Sequence, residues 1–293
     1  MDDVSEPLST LAPGEPSPEE TRLTRIEAKR GFASFGFGEL WQGRELMWFL
    51  VWRDIKVRYK QTALGAAWAI LQPVLTMVVF TVFFGKLAKL PTDGIPYPIF
   101  AFAALLPWNL FSTGMTNAAN SLVGNSALLK KVYLQRLAIP LAAVFAIVVD
   151  FLVAFVILIA MMAAYRIAPT PYALFVIPFT LLALLTAIGT GAWLAALNVR
   201  YRDVKYVLPF MVQLWLFATP VAYSSSMVKN EAAKIAFSIN PLVAVVDGFR
   251  WALLGAPAPS LASLLTSIGA SLFALVTGLM YFRKTERTFA DVV

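Results

Sequence analysis

The sequence predicts an all-α integral membrane protein that crosses the bilayer six times. Of its 293 residues, 59% are hydrophobic and only 14% are charged, whereas soluble domains carry about 25% charged residues. The mean hydropathy is +0.71. A helix needs about 20 apolar residues to cross a hydrocarbon core of about 30 Å. Six segments meet that length, and they lie at about 63–86, 97–119, 138–164, 172–197, 206–222 and 259–282.

Residues 1–35 are predicted to form a disordered cytoplasmic tail. They hold Pro7, Pro13, Pro16 and Pro18 among acidic and small residues. Such a composition cannot bury enough apolar surface to offset the entropy of ordering the chain. The tail has no basic region followed by an apolar core and a small-residue cleavage site, so we expect no cleaved signal peptide.

An amphipathic helix is predicted between this tail and the first span. Its apolar and aromatic side chains recur at spacings of seven, four, three and four residues, so they lie on one helical face. These residues are Trp41, Trp48, Trp52, Ile55 and Tyr59. Basic side chains cover the remainder, namely Arg44, Arg53, Lys56, Arg58 and Lys60. Such helices lie at the level of the lipid headgroups, with their cations towards anionic lipid. A soluble helix packed on a neighbouring domain is the alternative.

The distribution of basic residues predicts the orientation of the spans. If the N-terminus is cytoplasmic, 18 of the 24 Lys and Arg residues fall on the cytoplasmic side. Cytoplasmic loops carry an excess of Lys and Arg, so both termini are expected in the cytoplasm, including the short tail 286–293. An even number of spans agrees with that arrangement.

Two of the connections are predicted to contain helices of their own. Residues 120–137 mix polar and apolar side chains and form a helix on the cytoplasmic side. Residues 223–258 lie outside and include the apolar stretch 241–255, which is too short to span a bilayer and is bounded by Pro241 and Pro257. We interpret this connection as short re-entrant helices, which must be buried in protein or line a cavity. An ordinary external loop is the alternative.

The composition excludes several kinds of chemistry. The chain contains neither cysteine nor histidine, which rules out disulfides, the usual zinc sites and every catalytic triad that uses those residues. It also lacks the G-x-x-x-x-G-K-[ST] phosphate-binding loop, so it cannot hydrolyse ATP by that route. The charge of +7 is no nucleic-acid signal, because the cations cluster beside the spans.

Two sets of residues in or near the spans are candidates for function. Asp150 is the acid nearest the middle of a span, where a carboxylate is costly. It contacts a proton or substrate, makes a structural hydrogen bond to a neighbouring helix, or is a neutral acid. Residues that could border a central path for a substrate are Phe80, Phe84, Trp215, Phe217, Tyr223, Phe249, Arg250 and Trp251. The aromatic rings among them suit sugar rings as well as simple packing.

Several segments, in order, resemble the permease subunits of bacterial polysaccharide ABC exporters, the type-2 ABC permeases for O-antigen, capsule and teichoic acid. They read WRDIKVRYKQTALGAAWAILQPVLTMVVFTVFFGKL, PWNLFSTGMTNAANSLVGNSALLKKVYLQRLAIPL, LNVRYRDVKYVLPF, TPVAY and INPLVAVVDGFRWALL. The resemblance covers about residues 38–285. The chain departs from the pattern at Gln135 and at Ser224, where proline is common in that family.

The resemblance implies a permease domain over 36–285 in the bacterial inner membrane, with two copies paired to two separate ATP-binding subunits. ATP and Mg would lie on those subunits, with no cofactor on this chain. The amphipathic helix Glu39–Lys60 and a coupling helix at Asn120–Leu137 would contact them. The residues expected in that contact are Arg44, Arg53, Lys56, Arg58, Lys130, Lys131, Tyr133 and Arg136. The cargo would be a lipid-linked glycan; membrane lipids are further partners and nucleic acid is not.

Three other functions are alternatives to polysaccharide export. A secondary transporter or flippase driven by an ion gradient would need inverted repeats and paired intramembrane charges. An intramembrane glycosyl or acyl transferase would need clustered acids or histidine near one membrane face. An ABC exporter of a drug or small lipid is the third, and composition alone does not separate it from a polysaccharide exporter.

Overall fold

The computed structural model describes residues 41, 43–60, 65–131, 135–228, 230–286 and 289. The predictions for the tail 1–35, for the start of the amphipathic helix, for Tyr133 and for most of the tail 286–293 lie outside these residues. The side chains of Lys130 and Lys131 are outside them as well.

The described residues form helices and no strand, which confirms the all-α fold class. In chain order the helices are α1 (Arg44–Lys60), α2 (Gly65–Phe80), α3 (Tyr97–Gly124), α4 (Ser126–Lys131), α5 (Ala138–Ala164), α6 (Val176–Arg200), α7 (Val204–Phe217), α8 (Glu231–Phe237), α9 (Pro241–Leu254) and α10 (Leu261–Thr285). A π-helical turn, Thr81–Leu87, extends α2. Short 3₁₀ turns, Ala173–Phe175 and Ser225–Met227, precede α6 and α8.

Five helical segments of the described chain are long and apolar enough to cross a membrane. They are Ile70–Leu87, Tyr97–Gly124, Ala138–Ala164, Ala173–Arg200 and Leu261–Thr285, and they correspond to the first, second, third, fourth and sixth predicted spans. The fifth corresponds to α7, which has 14 residues and is therefore about 21 Å long. Its chain leaves the helix at a turn formed by residues 218–221.

Helix α3 forms the centre of the bundle. In the most apolar 18-residue stretch of α3, 83% of the residues are buried, compared with 11% in the first spanning segment. Side chains of α5, α6, α7 and α9 pack around it in one hydrophobic core. The close approach of α6 and α10 depends on two glycines, because a Cβ on Gly278 would lie 2.0 Å from the carbonyl oxygen of Gly189. Small residues allow such backbone contact between helices in a membrane.

The predicted short helices of the 223–258 connection are present as α8 and α9. The side chains of Asn230 and Asn240 cap their N-termini by accepting bonds from the backbone N–H groups two residues further on. Helix α9 ends at Gly255, whose φ of +73° is left-handed. Twelve of the 14 residues of α9 are buried, as a re-entrant segment requires.

Candidate functional site

Helix α1 is attached to the bundle by its apolar side. Leu50 and Val51 are buried in a second hydrophobic cluster, which includes Ile139 at the start of α5 and Phe282 near the end of α10. Trp48 and Trp52, predicted to share a face with Tyr59, are exposed instead. The aromatic side chains of α1 therefore divide between the outer surface and the bundle.

Two consecutive residues of α1 bind one carboxylate of α5. The Arg58 guanidinium donates from Nη1 to Oδ2 of Asp150, and the Tyr59 hydroxyl donates to Oδ1. The Arg58 and Asp150 side chains keep only 32% and 20% exposure, so the ion pair is largely shielded from solvent. Burial, followed by the Asp150 carboxylate, raises the pKa of Tyr59 and keeps its hydroxyl a donor. Each oxygen of the intramembrane acid thus has a partner on α1.

The two attachments show how α1 runs along α5. Leu50 and Val51 pack near Ile139, at the start of α5, while Arg58 reaches Asp150. Asp150 lies about 18 Å along α5 from its first residue, at about 1.5 Å per residue. Helix α1 therefore lies beside the first half of α5, and a displacement of α1 would act directly on this span.

A cavity of about 250 Å³ adjoins this ion pair. We call it the Arg58 cavity. It lies between α1, α2, α3 and α5, and its polar lining consists of Arg58, Asp150, Gln72, Asn109 and Thr113. Trp68 contributes an aromatic wall.

The other predicted coupling residues lie apart from the ion pair. Arg53 pairs with Asp54 at 2.8 Å on α1 itself. Arg44 lies 5.4 Å from the ring of Trp41, which precedes α1, and Lys56 lies 5.4 Å from the ring of Trp52. Arg136 donates to the carbonyl oxygen of Glu286 beyond α10. The structure joins Arg58 to the bundle. The coupling residues whose side chains are described, Arg44, Arg53, Lys56, Arg58 and Arg136, do not form one cluster.

The predicted path residues are likewise dispersed. Phe80 and Phe249 are buried in the core. Three of the other aromatic residues lie apart from one another: Phe84 is beside Phe80, with ring centroids 5.3 Å apart; Trp215 is against Phe111 at 4.8 Å; and Trp251 is stacked on Tyr172 at 4.8 Å. Phe217 is exposed, and the hydroxyl of Tyr223 donates to its carbonyl oxygen at 3.1 Å. In one chain these side chains do not form a continuous lining.

Arg250 has a structural environment that the sequence analysis missed. It is 2% exposed, and its guanidinium carbon lies 3.5 Å from the centroid of the Phe100 ring. Its nitrogens donate to four backbone carbonyls, those of Phe100, Pro220, Val221 and Tyr223, over 2.6–3.2 Å. Burial lowers its pKa to about 10. Arg250 therefore ties α9 to α3 and to the chain that leaves α7.

Polar side chains at α8 and α9 line a second cavity, of about 220 Å³. We call it the Asp247 cavity. On one wall, the carboxylate of Asp93 accepts bonds from the hydroxyls of Ser224 at 2.5 Å and Ser226 at 2.9 Å. On another, burial raises the pKa of Asp247 to about 6, while the nearby Ser225 hydroxyl and Arg250 act in the opposite direction. The hydroxyl oxygen of Ser225 is buried next to the Asp247 carboxylate.

The fold defines a multi-pass α-helical membrane protein with an amphipathic helix bonded to one of its spans. Comparison with known proteins identifies its family: residues 45–254, more than two thirds of the chain, match the family described as ABC-2 type transporter. The chain belongs to that family.

Curated relatives cover most of the chain and nearly all of their own lengths. The O-antigen export system permease protein RfbA of Myxococcus xanthus is 29% identical over 257 residues, which are 87% of this chain and 98% of the relative. A protein of the same name from Klebsiella pneumoniae is 27% identical over 82% of this chain and 92% of its own. The polysialic acid transport protein KpsM of Escherichia coli is 23% identical over 80% and 91%. The predicted resemblance is therefore confirmed.

Proposed function

We propose that this chain is the transmembrane subunit of an ATP-driven exporter that moves a lipid-linked polysaccharide across the bacterial cytoplasmic membrane. The names of the relatives and their near full-length alignment support this function. The chain itself is a non-catalytic permease. Two copies work with two separate ATP-binding subunits, which hold ATP and Mg, and both termini are cytoplasmic.

The double contact of α1 with Asp150 carries the coupling proposal. The ATP-binding subunits displace α1 through its basic residues, namely the exposed Arg44 and Lys56 and the partly buried Arg53. Arg58 and Tyr59 both donate hydrogen bonds to Asp150 in the middle of α5. The displacement of α1 therefore tilts this span. Helix α4 and the residues after it, including Lys130, Lys131, Tyr133 and Arg136, form the second contact with the ATP-binding subunits.

The route for the glycan lies between two copies of the chain. Exposed aromatic side chains suit the wall of such a route, and Phe217 with neighbouring Tyr223 are the residues of the predicted set best placed for it. Arg250 stabilises the backbone of this wall, because its guanidinium donates hydrogen bonds to the carbonyl groups of residues 220, 221 and 223. Its own guanidinium is committed to those bonds.

Charge reversal of the coupling helix tests this function. The Lys130→Glu/Lys131→Glu variant, co-expressed with its ATP-binding subunit, is expected to assemble but to lose both surface polysaccharide and cargo-stimulated ATP hydrolysis. Lys86→Glu, which reverses an exposed cation at the end of the first spanning segment and outside both cavities, is the control and should retain ATPase stimulation. Unchanged export and ATPase stimulation in the double variant would contradict the coupling proposal.

A further inference from the structure

We infer that the Asp247 cavity is a binding site for a single sugar unit of the exported glycan. This inference rests on the proposed function and adds to it a place where the protein contacts its cargo outside the central route. The charge distribution along the chain puts the connection 223–258, which forms most of the cavity, on the external side.

The size and opening of the cavity suit one sugar ring. Its volume of about 220 Å³ far exceeds the roughly 10–15 Å³ that one water needs, and it lies just below the range of about 300–1,000 Å³ for drug-sized ligands. Pro257, Ala258 and Ser260 line it and are exposed, so the cavity opens to the surface.

The electrostatics of the lining favour a neutral ligand over an ion. Two acids, Asp93 and Asp247, are matched by two bases, Lys234 and Arg250. The carboxylate of Asp93 already accepts bonds from two serine hydroxyls, and the guanidinium of Arg250 is committed to backbone carbonyls. A divalent cation prefers several oxygen ligands with an excess of negative charge, which this lining does not offer.

Unused hydrogen-bonding capacity points to a ligand with hydroxyl groups. The carboxylate of Asp247 lies at the cavity beside the Ser225 hydroxyl. A carboxylate offers about four acceptor positions, so one neighbouring hydroxyl leaves capacity for the hydroxyl groups of a ligand. The ring of Phe237, which is partly exposed, provides an apolar wall for the C–H face of a sugar. A few polar groups with an aromatic wall are the usual makeup of a small-ligand site.

Cysteine labelling tests this site, since the chain has no cysteine of its own. Ser226 lines the cavity and is exposed, so Ser226→Cys is purified in complex with the ATP-binding subunit, placed in lipid nanodiscs and reacted with a maleimide. The probe is the host's own glycan, released from its lipid. At about four times its Kd the glycan should slow labelling about fivefold, because the free fraction of sites is 1/(1 + [L]/Kd). Met227→Cys, exposed on the same loop but outside the cavity lining, should react at an unchanged rate.

Further variants identify the residues that bind the sugar. In the Ser226→Cys chain, Asp247→Asn should abolish protection by the glycan. Phe237→Ala should do the same and serves if the first variant fails to assemble. Equal labelling rates with and without glycan, no labelling at all, or protection that survives both substitutions would overturn the site. If the parent chain exports glycan but shows no protection, only this inference fails. If it exports none, the proposed function fails as well.

Discussion

Replacing Asp150 by asparagine tests the attachment of α1 to the bundle. Each carboxylate oxygen accepts one bond from α1. Such charge-assisted bonds are worth about 1.5–3 kcal/mol each, against about 0.5–1.5 kcal/mol for neutral bonds that an amide could keep. The difference over two bonds is about 2–3 kcal/mol. Because the two ionic side chains retain 32% and 20% exposure, we expect a loss of about 2 kcal/mol.

The thermal unfolding of the purified complex measures this loss. A loss of about 2 kcal/mol corresponds to a fall in Tm of about 4–8 °C for a chain of this size. Asp54→Asn is the matched control, since Asp54 pairs with its neighbour Arg53 at a similar exposure of 29% and 33%. That pair lies within α1 and joins it to no other helix, so its loss should change the Tm much less than the loss of the contact with α5.

A double-mutant cycle with Arg58→Gln separates the pair from other effects of each substitution. The two substitutions should be markedly less than additive, because each removes the same ionic contact. An unchanged Tm in Asp150→Asn, or full additivity in the cycle, would refute the reasoning.

Three further predictions concern packing, charge and pH. Gly278→Ala should prevent assembly, because its methyl group would overlap the backbone of Gly189. Gly269 has open space around it, so Gly269→Ala is the control. It should leave the yield of folded complex on size-exclusion chromatography unchanged. Arg250→Gln should lower the Tm by more than Asp150→Asn, since it leaves several buried carbonyls without donors; equal yield and Tm to wild type would contradict this role. The raised pKa of Asp247 lets the folded protein hold a proton that the unfolded chain releases. The free energy of unfolding should therefore fall as pH rises from about 4 to about 6. The same pH dependence in Asp247→Asn would refute this prediction.

Local rules predicted the helices better than their contacts. Hydropathy found the spanning segments because length and apolar composition alone decide whether a helix crosses a bilayer. The bounds of α9 follow from the N-cap Asn240 with Pro241 at its start and from Gly255 at its end. The shortness of α7 did not follow, because the apolar run continues past Phe217 into a turn held by Arg250.

The partners of the charged residues depend on the tertiary fold. Asp150 and Arg58 are 92 residues apart in the chain, and no local pattern links them. The sequence indicated that Asp150 needs a partner, and the ion pair supports the structural alternative over a proton contact. Arg250 is one of the predicted path residues, and its position in an apolar run gives no sign of the bonds it makes. Its bonds go to carbonyls about 30 residues earlier in the chain, which sequence spacing does not reveal.

Transport by the purified complex tests the central claim most directly. The chain and its ATP-binding subunit are reconstituted in proteoliposomes, and the movement of a lipid-linked O-antigen across the bilayer is followed by its capture with an impermeant glycan-specific lectin. The account predicts movement that requires ATP and Mg, that is insensitive to dissipation of ion gradients, and that is strongly reduced by Lys130→Glu/Lys131→Glu. Movement driven by an ion gradient without ATP, or no movement of the glycan while a small lipid or drug is exported, would contradict it.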